Sequence, residues 1–507
     1  MYRHDIMAFM WLTSLFGKKK HSPLFFYNTL GREKQEFTLP RQAREVRMYN
    51  CGPTVYDVQH IGNLSAFVFA DIIRRALEWN NYMVKQVINI TDVGHLTSDA
   101  DEGEDKMSKG LRREGLELTL ENMHTLAERY TQIFIADLQK LNIDTEHITF
   151  PRASRYIPAQ IAMVRTLEEK GYAYKAEDGI YFDTSRAPSY GILGGLNFEG
   201  QKEHARIETG ATKRNLTDFA LWKFNDLLGW DSPWGKGFPG WHIECSAMIN
   251  ATLGRQIDIH TGGIEHIAVH HNNEIAQSEA ALGKKPLSRF WMHRAHIRLE
   301  GGKMAKSEGN VVYLSDIIEK GFHPLSFRYL LLTAHYRTPT NFTWDALEAA
   351  QTSFLKLRRF VDSESHSGSP PRQWQKKIQE CLNDDLDTPG ALALLWEMTK
   401  EKDLSTRDVR AAILDADRVL GFALDKPDAE AEALLRSKFG VSVEMKDIPE
   451  RVKTLIDARE AARKEKNWQH ADKLRTELQK NGLFFRGHVR RSSRLQKRCT
   501  MRHHELY

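Results

Sequence analysis

Residues 50–63, "NCGPTVYDVQHIGN", decide the fold. The stretch before them, "EVRMYNCG" (45–52), alternates apolar and polar residues and stops at Gly-Pro, which predicts a strand and a turn. The stretch after, "NLSAFVFADIIRRALEWNNY" (63–82), has the apolar spacing of a helix. "MVKQVINITDVG" (83–94) then predicts a second strand. Strand, helix and strand in about fifty residues form a βαβ unit and hence a parallel sheet. Ligands of such sheets bind beyond the carboxyl ends of the strands, where "CGPTVYDVQHIGN" and "NITDVGH" fall.

The pattern continues on both sides of a Gly-, Pro- and aromatic-rich segment. "LELTLENMHTLAERYTQIFIADLQKLNI" (116–143) predicts one long amphipathic helix or a helix pair. Residues 150–240 have the composition of an insertion. "RQIDIHTGG" (255–263) is a further strand with a glycine-rich end, and "HHNNEIAQSEAALG" (270–283) opens a helix. "RFWMHRAHIRLEGGKMAKSEGN" (289–310) reads as a strand running into a Gly/Lys/Ser loop. From about residue 345 the pattern is helical, broken by the loop "SESHSGSPPR" (363–372) and ending in a charged helical hairpin over 450–482.

With 507 residues, the chain is long enough for two to four domains, and an apolar fraction of 41% provides real cores. No run of about 18 apolar residues occurs, so no membrane span is expected. The first twenty residues place lysines after their apolar stretch, the reverse of a secretory signal. They read as an amphipathic extension or as sequence ahead of a later start at Met7 or Met10. Cys51, Cys245, Cys381 and Cys499 lie far apart with no CxxC, which suits a reducing cytosol and excludes a cysteine-only zinc cluster. The net charge is only +5, but residues 486–507 hold seven Lys/Arg against one Glu. A basic end suits a polyanionic partner or a solvated tail.

Three groups can carry chemistry. In "HIGN", a glycine between polar residues at a helix start lets a phosphate approach backbone N–H groups and the positive helix end. His60 and Asn63 can donate there, and a helix cap with a packed histidine is the plainer alternative. In "GGKMAKSEGN", Lys303 and Lys306 beside glycines suit a polyphosphate, or form a basic surface loop. In "HHNNE", His270 and Glu274 share one helix face and offer zinc two acceptable ligands, two short of a set. Cys51 and Cys245 can complete it, but about 190 residues separate them and spacing leaves their proximity open.

Taken together, these pieces resemble the cysteinyl-tRNA synthetases, a family of class I aminoacyl-tRNA synthetases. "PTVYDVQHIGN" (53–63) and "KMAKS" (303–307) resemble the two signatures of the class. "YNCGPTVYD", "NITDV", "GWHIECSAM" (240–248), "DIHTGG", "HHNNEIAQ" and "LNDDLDTPGALALL" (382–395) extend the likeness over about residues 25–482. The resemblance implies an α/β Rossmann-like parallel-sheet catalytic domain with an insertion, followed by a helical C-terminal tRNA-binding region. The boundaries expected are an N-terminal extension over 1–24 and a catalytic domain over 25–345, with the insertion at about 150–240 and a stem-contact segment at about 300–345. A helical bundle over 346–430 and an anticodon-side region with a basic tail over 431–507 complete the chain.

The resemblance also implies site residues. One Zn²⁺ per chain would be held by Cys51, Cys245, His270 and Glu274. ATP with Mg²⁺ would meet His60, Gly62, Asn63, Lys303 and Lys306, and L-cysteine would meet Gly52, Thr91, Trp241 and Glu265. Departures from the family pattern are Asn63 for a second His, Ala305 for Ser, Glu265 for Asp and Phe238 for a frequent Arg. After "LQKNGLFF" the chain lacks the family's usual acidic turn and Trp-containing strand and continues "RGHVRRSSRLQKRCTMRHHELY". The implied activity is ATP-dependent cysteine activation and transfer to tRNA(Cys), by a cytoplasmic monomer. Rival readings are a ligase passing cysteine to an amino-sugar, a non-catalytic tRNA-binding relative, and a zinc hydrolase, for which no HExxH occurs.

Overall fold

The structure is a computed structural model that describes residues 22–93, 106–195, 213–299, 302–303, 311–366, 368–439, 441–444, 450–480, 483–484 and 498–501. The extension up to residue 21, the loop holding Lys306 and most of the basic tail lie outside the described residues.

The chain divides into two compact units, one of residues 1–351 and 364–423 and one of 352–363 and 424–507. The first is built on a five-stranded parallel sheet: β1 (Val46–Asn50), β2 (Val84–Ile88), β3 (Ile148–Thr149), β4 (Ile257–Gly263) and β5 (Ser288–Arg294). Its order is β5-β4-β1-β2-β3. The chain runs from β1 outward to β3, then returns to the other side of β1. That reversal between β1 and β4 is a topological switch point, where the connections leave a crevice at the carboxyl ends.

Helix α1 (Ile61–Trp79) joins β1 to β2, and α2 (Leu120–Lys140) precedes β3. Of the two expectations over 116–143, a long helix or a helix pair, the structure has the single helix, capped by the Thr119 hydroxyl accepting from the Asn122 N–H at 3.1 Å. The segment between β3 and β4 contains α3 (Ile157–Glu169), a four-stranded antiparallel sheet and α4 (Trp241–Thr252). Phe182, Trp222, Ile243, Met248 and Trp291 pack into one core joining this segment to the parallel sheet. Helix α5 (His270–Leu282) connects β4 to β5, and α6 (Pro324–Leu332) lies in sequence between strands Gly302–Lys303 and Thr340–Asn341 of a small mixed sheet. Helices Arg372–Asn383, Thr388–Met398 and Thr406–Leu420 complete the first unit.

The second unit holds the expected hairpin as Glu450–Lys464 and Trp468–Lys480, after helix Ala429–Phe439. It is not wholly helical: Val441–Glu444 and Leu483–Phe484 both pair antiparallel with Arg498–Met501. The β-branched and aromatic residues of "VSVE" and "LF" favour strand over the helical continuation that the preceding pattern suggests. Among the described residues no helix is long and apolar enough to cross a membrane.

One buried charge network fixes α1. The Asp71 carboxylate, fully buried, accepts from Arg74 at 2.9 Å, Arg75 at 2.7 Å and Arg328 of α6 at 2.6 Å. Arg328, also fully buried, donates its other N–H groups to the carbonyls of Leu141 at 2.9 Å and Leu420 at 2.7 Å. Burial opposes ionisation of Asp71, but Arg75 and Arg328 hold its carboxyl well below the usual carboxylate range. A carboxylate depressed in the folded state stabilises above its unfolded pKa and loses that contribution as pH falls. Asp71→Asn should therefore lower the midpoint of thermal unfolding at pH 7, since breaking a buried pair costs about 3–5 kcal/mol. The loss should shrink as pH drops below about 4. Calorimetry of both proteins across pH 3–7 checks this, and a pH-independent difference contradicts the assignment.

Candidate functional site

The site grows from the ends of β1, β2 and β4. Cys51 follows β1, and its N–H donates to the Thr261 carbonyl of β4 at 3.2 Å. Gly52 then passes over the end of β2: a Cβ there would lie 1.5 Å from the Asn89 carbonyl oxygen. Its N–H donates to Asn89 Oδ1 at 2.8 Å. Only glycine fits so close an approach of two backbones. Val55 and Thr91 continue the contact, with the Val55 N–H donating to the Thr91 carbonyl at 3.1 Å and the Thr91 N–H to the Pro53 carbonyl at 3.0 Å.

His60 ends this connection as the N-cap of α1. Its Nδ1 accepts the Asn63 N–H at 3.2 Å, so the histidine does cap the helix. The cap fixes the ring through Nδ1 and makes Nε2 the nitrogen that can donate. Gly62 and Asn63 occupy the first turn, both partly exposed, at the positive end of the helix. Lys303 lies in the two-residue strand Gly302–Lys303, whose register sets it opposite Arg298, and Lys306 lies outside the described residues.

Cys51, Cys245, His270 and Glu274 come together from β1, α4 and α5, with one ligand atom of each within 4.8 Å of all the others. His270 Nε2 is 2.7 Å and Cys51 Sγ 3.6 Å from Glu274 Oε1. Cys245 is buried, its Sγ 3.8 Å from Asn89 Oδ1. The hydrogen bond from Cys51 brings the Cys245 thiol down to about 6, whereas burial pushes Cys51 up. Burial opposes charge on both members of the His270–Glu274 pair. Even so, Glu274 lifts His270 to about 10, and His260 and His270 hold Glu274 well below its ordinary value.

Two soft thiol donors, an imidazole and a carboxylate suit zinc. A tetrahedral ion with bonds of about 2.0–2.3 Å spaces its donors about 3.3–3.8 Å apart; the Cys51–Glu274 separation of 3.6 Å lies in that range, whereas His270 and Glu274, 2.7 Å apart as a directly bonded pair, would have to part to share an ion. The outer contacts fit too. Glu274 Oε2 bonds His260 Nε2 at 2.7 Å, and His270 Nδ1 bonds His242 Nδ1 at 2.8 Å, so ligand candidates are held by partners behind them.

Sequence reasoning missed these partners. His260, His271 and Glu274 with Cys51 form an overlapping donor group. His271 sits 3.3 Å from Cys51 Sγ and is tied through Nδ1 to His293 Nε2 at 2.8 Å. His260 is visible within "DIHTGG", but no spacing rule links a strand residue to the helix that follows. His271 adjoins His270 yet points about 100° around the helix, outside the i, i+4 pattern.

The residues assigned to the amino-acid pocket differ in placement. Trp241 opens α4 with its ring centroid 4.4 Å from that of His270. Thr91 is buried and its hydroxyl donates to Glu244 Oε2 at 2.9 Å. Burial pushes the Glu244 carboxyl up, and its Oε1 has no partner. Glu265 is half-exposed on the turn after β4, its Oε2 3.4 Å from His296 Nδ1.

Known proteins bear on this geometry. Residues 37–352 match the family described as tRNA synthetases class I (C) catalytic domain, and residues 445–488 match the cysteinyl-tRNA ligase anticodon binding domain. Cysteine–tRNA ligase 1 of Burkholderia lata is 46% identical over 466 residues, spanning 91% of this chain and 94% of its own. The cysteine–tRNA ligase of Treponema denticola is 40% identical over 493 residues, spanning 91% and 97%. A Mycobacterium tuberculosis methionyl-tRNA synthetase in complex with methionyl-adenylate superposes with a TM-score of 0.53 at 14% identity, over 78% of this chain and 91% of that one. That likeness concerns the fold, and it agrees with the parallel sheet and the helices after it. Identity of this extent over nearly the whole chain establishes descent: the chain belongs to the cysteine–tRNA ligase family of class I aminoacyl-tRNA synthetases.

Proposed function

We propose that the protein activates L-cysteine with ATP and transfers it to the 3′ end of tRNA(Cys). The observation that carries this reading is the convergence of two thiols, a histidine and a carboxylate beside the helix that starts at His60. In the first step the cysteine carboxylate attacks the α-phosphorus of ATP and pyrophosphate leaves. Negative charge builds on the phosphorus oxygens. His60 Nε2, the Gly62 N–H, the Asn63 side-chain amide, and the Lys303 and Lys306 ammonium groups stabilise it, with Mg²⁺ accompanying ATP. In the second step the terminal ribose hydroxyl attacks the cysteinyl carbonyl and AMP leaves. Neither step needs a covalent enzyme intermediate.

Cys51, Cys245, His270 and Glu274 would hold one zinc ion, which when bound favours a thiolate ligand over an alcohol. That preference answers a problem a shaped pocket handles poorly, since near-isosteres differ by only about 1–3 kcal/mol in an apolar site. Trp241 would wall the side chain, Thr91 and Gly52 would line the floor, and Glu265 would meet the substrate ammonium. We place the protein in the cytoplasm as a monomer, with a catalytic region over about 25–345, a helical bundle over 346–430 and an anticodon-side region from 431. Transfer to an amino-sugar is disfavoured by the anticodon-domain match over 445–488. Charging of total tRNA with cysteine separates the two acceptors.

Glu274→Ala or Cys245→Ala should lower bound zinc and cysteine-dependent ATP–pyrophosphate exchange together, by at least about tenfold each. Metal analysis beside the exchange assay reads this, and full activity in a zinc-free variant would sink the assignment. His260→Ala, which removes a partner behind Glu274, should weaken zinc affinity by about 10–100-fold while the ion stays on the two thiols. Thiolate-to-metal charge-transfer bands after cobalt substitution distinguish the two donor groups: loss of the bands in Cys245→Ala favours the two-thiol set. Lys306→Ala should slow adenylate formation about 100-fold and leave cysteine affinity nearly intact. Single-turnover kinetics decide, and an unchanged rate contradicts a phosphate role.

A further inference from the structure

Arg294 ends β5 and pairs in register with Gly263 of β4. Its residue is 4% exposed. Among the described residues its side chain makes one hydrogen bond, from Nη2 to Thr340 Oγ1 at 3.2 Å, and its buried Nε has no partner. Among the described residues no carboxylate pairs with it. Burial pushes its guanidinium down to about 10, so it is still cationic at neutral pH. Arg328 is equally desolvated, yet it is answered by Asp71 and two carbonyls. Arg74, Arg294 and Arg328 are thus buried in one unit, and among the described residues Arg294 alone of the three has no counter-charge.

A small cavity adjoins Arg294. It measures about 20 Å³ and is walled by Phe69 and Ile72 of α1, Leu331 of α6, Tyr336 and Leu386. About 10–15 Å³ accommodates one water, so the space admits a small occupant. The walls are largely apolar, and a buried water needs two to four polar partners. The Tyr336 hydroxyl is already committed to Asp385 at 2.6 Å. A monatomic anion has the charge the guanidinium lacks, and it tolerates apolar neighbours on its remaining sides.

We propose that the cavity beside Arg294 binds one halide ion of chloride's size. The ion would neutralise Arg294 where β5 leads toward Lys303 and where α1, opened by His60, packs on the sheet. Occupancy would therefore tie the two phosphate-side segments to one buried counter-charge.

Bromide is the probe. Crystals of the full-length protein grown in sodium bromide should show an anomalous peak in the cavity at hydrogen-bond distance from Arg294 Nε. In solution, replacing sodium gluconate by sodium chloride at constant ionic strength should raise the unfolding midpoint saturably, by about 2 °C or more. Arg294→Met, similar in volume but uncharged, should show no such dependence. A water in place of the peak overturns the proposal, as does an equal chloride response in Arg294→Met. A peak without a saturable shift marks an adventitious ion only and overturns it too. Should Arg294→Met fail to fold, the wild-type peak and titration still decide.

Discussion

The site depends on one close approach. Gly52 lies so near the Asn89 carbonyl that no side chain fits between them. This contact brings the exit of β1 over the end of β2, with the Val55–Thr91 and Thr91–Pro53 bonds extending it. Everything downstream inherits that path. Cys51 is left facing the crevice next to β4, and the chain reaches His60 aligned to start α1. A Cβ at position 52 would have to separate the two strands, and both the thiol and the helix N-terminus would move with it.

Within that frame, the costliest burial in the site is the Glu274 carboxylate. It is fully removed from water and answered by His260 on one oxygen and His270 on the other. An unpaired carboxylate there would neutralise itself. The histidines keep it ionised, and each is held in turn, His270 by His242 and His260 by its stack on Trp291 at 4.5 Å. A network whose polar members hold one another in place is rigid. Among the described residues, buried polar atoms left without partners around it include Glu244 Oε1, Tyr49 Oη, Trp291 Nε1 and the Nδ1 atoms of His260 and His266, and they mark where this satisfaction stops.

Much of this was legible in the sequence, and the legible parts share a cause. Period-2 alternation in 45–52 and helical spacing in 63–82 report local burial, so β1 and α1 emerged within a few residues of their observed limits. His270 and Glu274 were legible as a pair because a helix turns i and i+4 to one face. The meeting of Cys51 and Cys245 came only from the family resemblance, since it depends on the strand order β4-β1-β2, which periodicity does not encode. His260 and His271 were missed because their partners lie across elements. The strand Arg498–Met501 was missed because its pairing with Val441–Glu444 spans more than fifty residues of basic and helical sequence.

Two of the buried arginines, Arg294 and Arg328, show what local pattern leaves out. Arg74 and Asp71 sit at helical spacing, and their ion pair follows from it. Arg328 and Arg294 do not announce themselves: each lies in an apolar run, "FRYLLL" and "FWMHR", where a charge reads as an interruption. Burial places the same demand on both, and the fold meets it for Arg328 with a carboxylate 257 positions away in sequence. Asp71 lies on α1 about three turns beyond His60, so the charge balance that buries Arg328 also orients the helix whose first turn is proposed to meet ATP. Stability and the placement of that first turn are therefore coupled along α1. If the turn meets ATP as proposed, a substitution that relaxes the Asp71 network need not touch the nucleotide to disturb it, because the N-terminal turn moves with the helix.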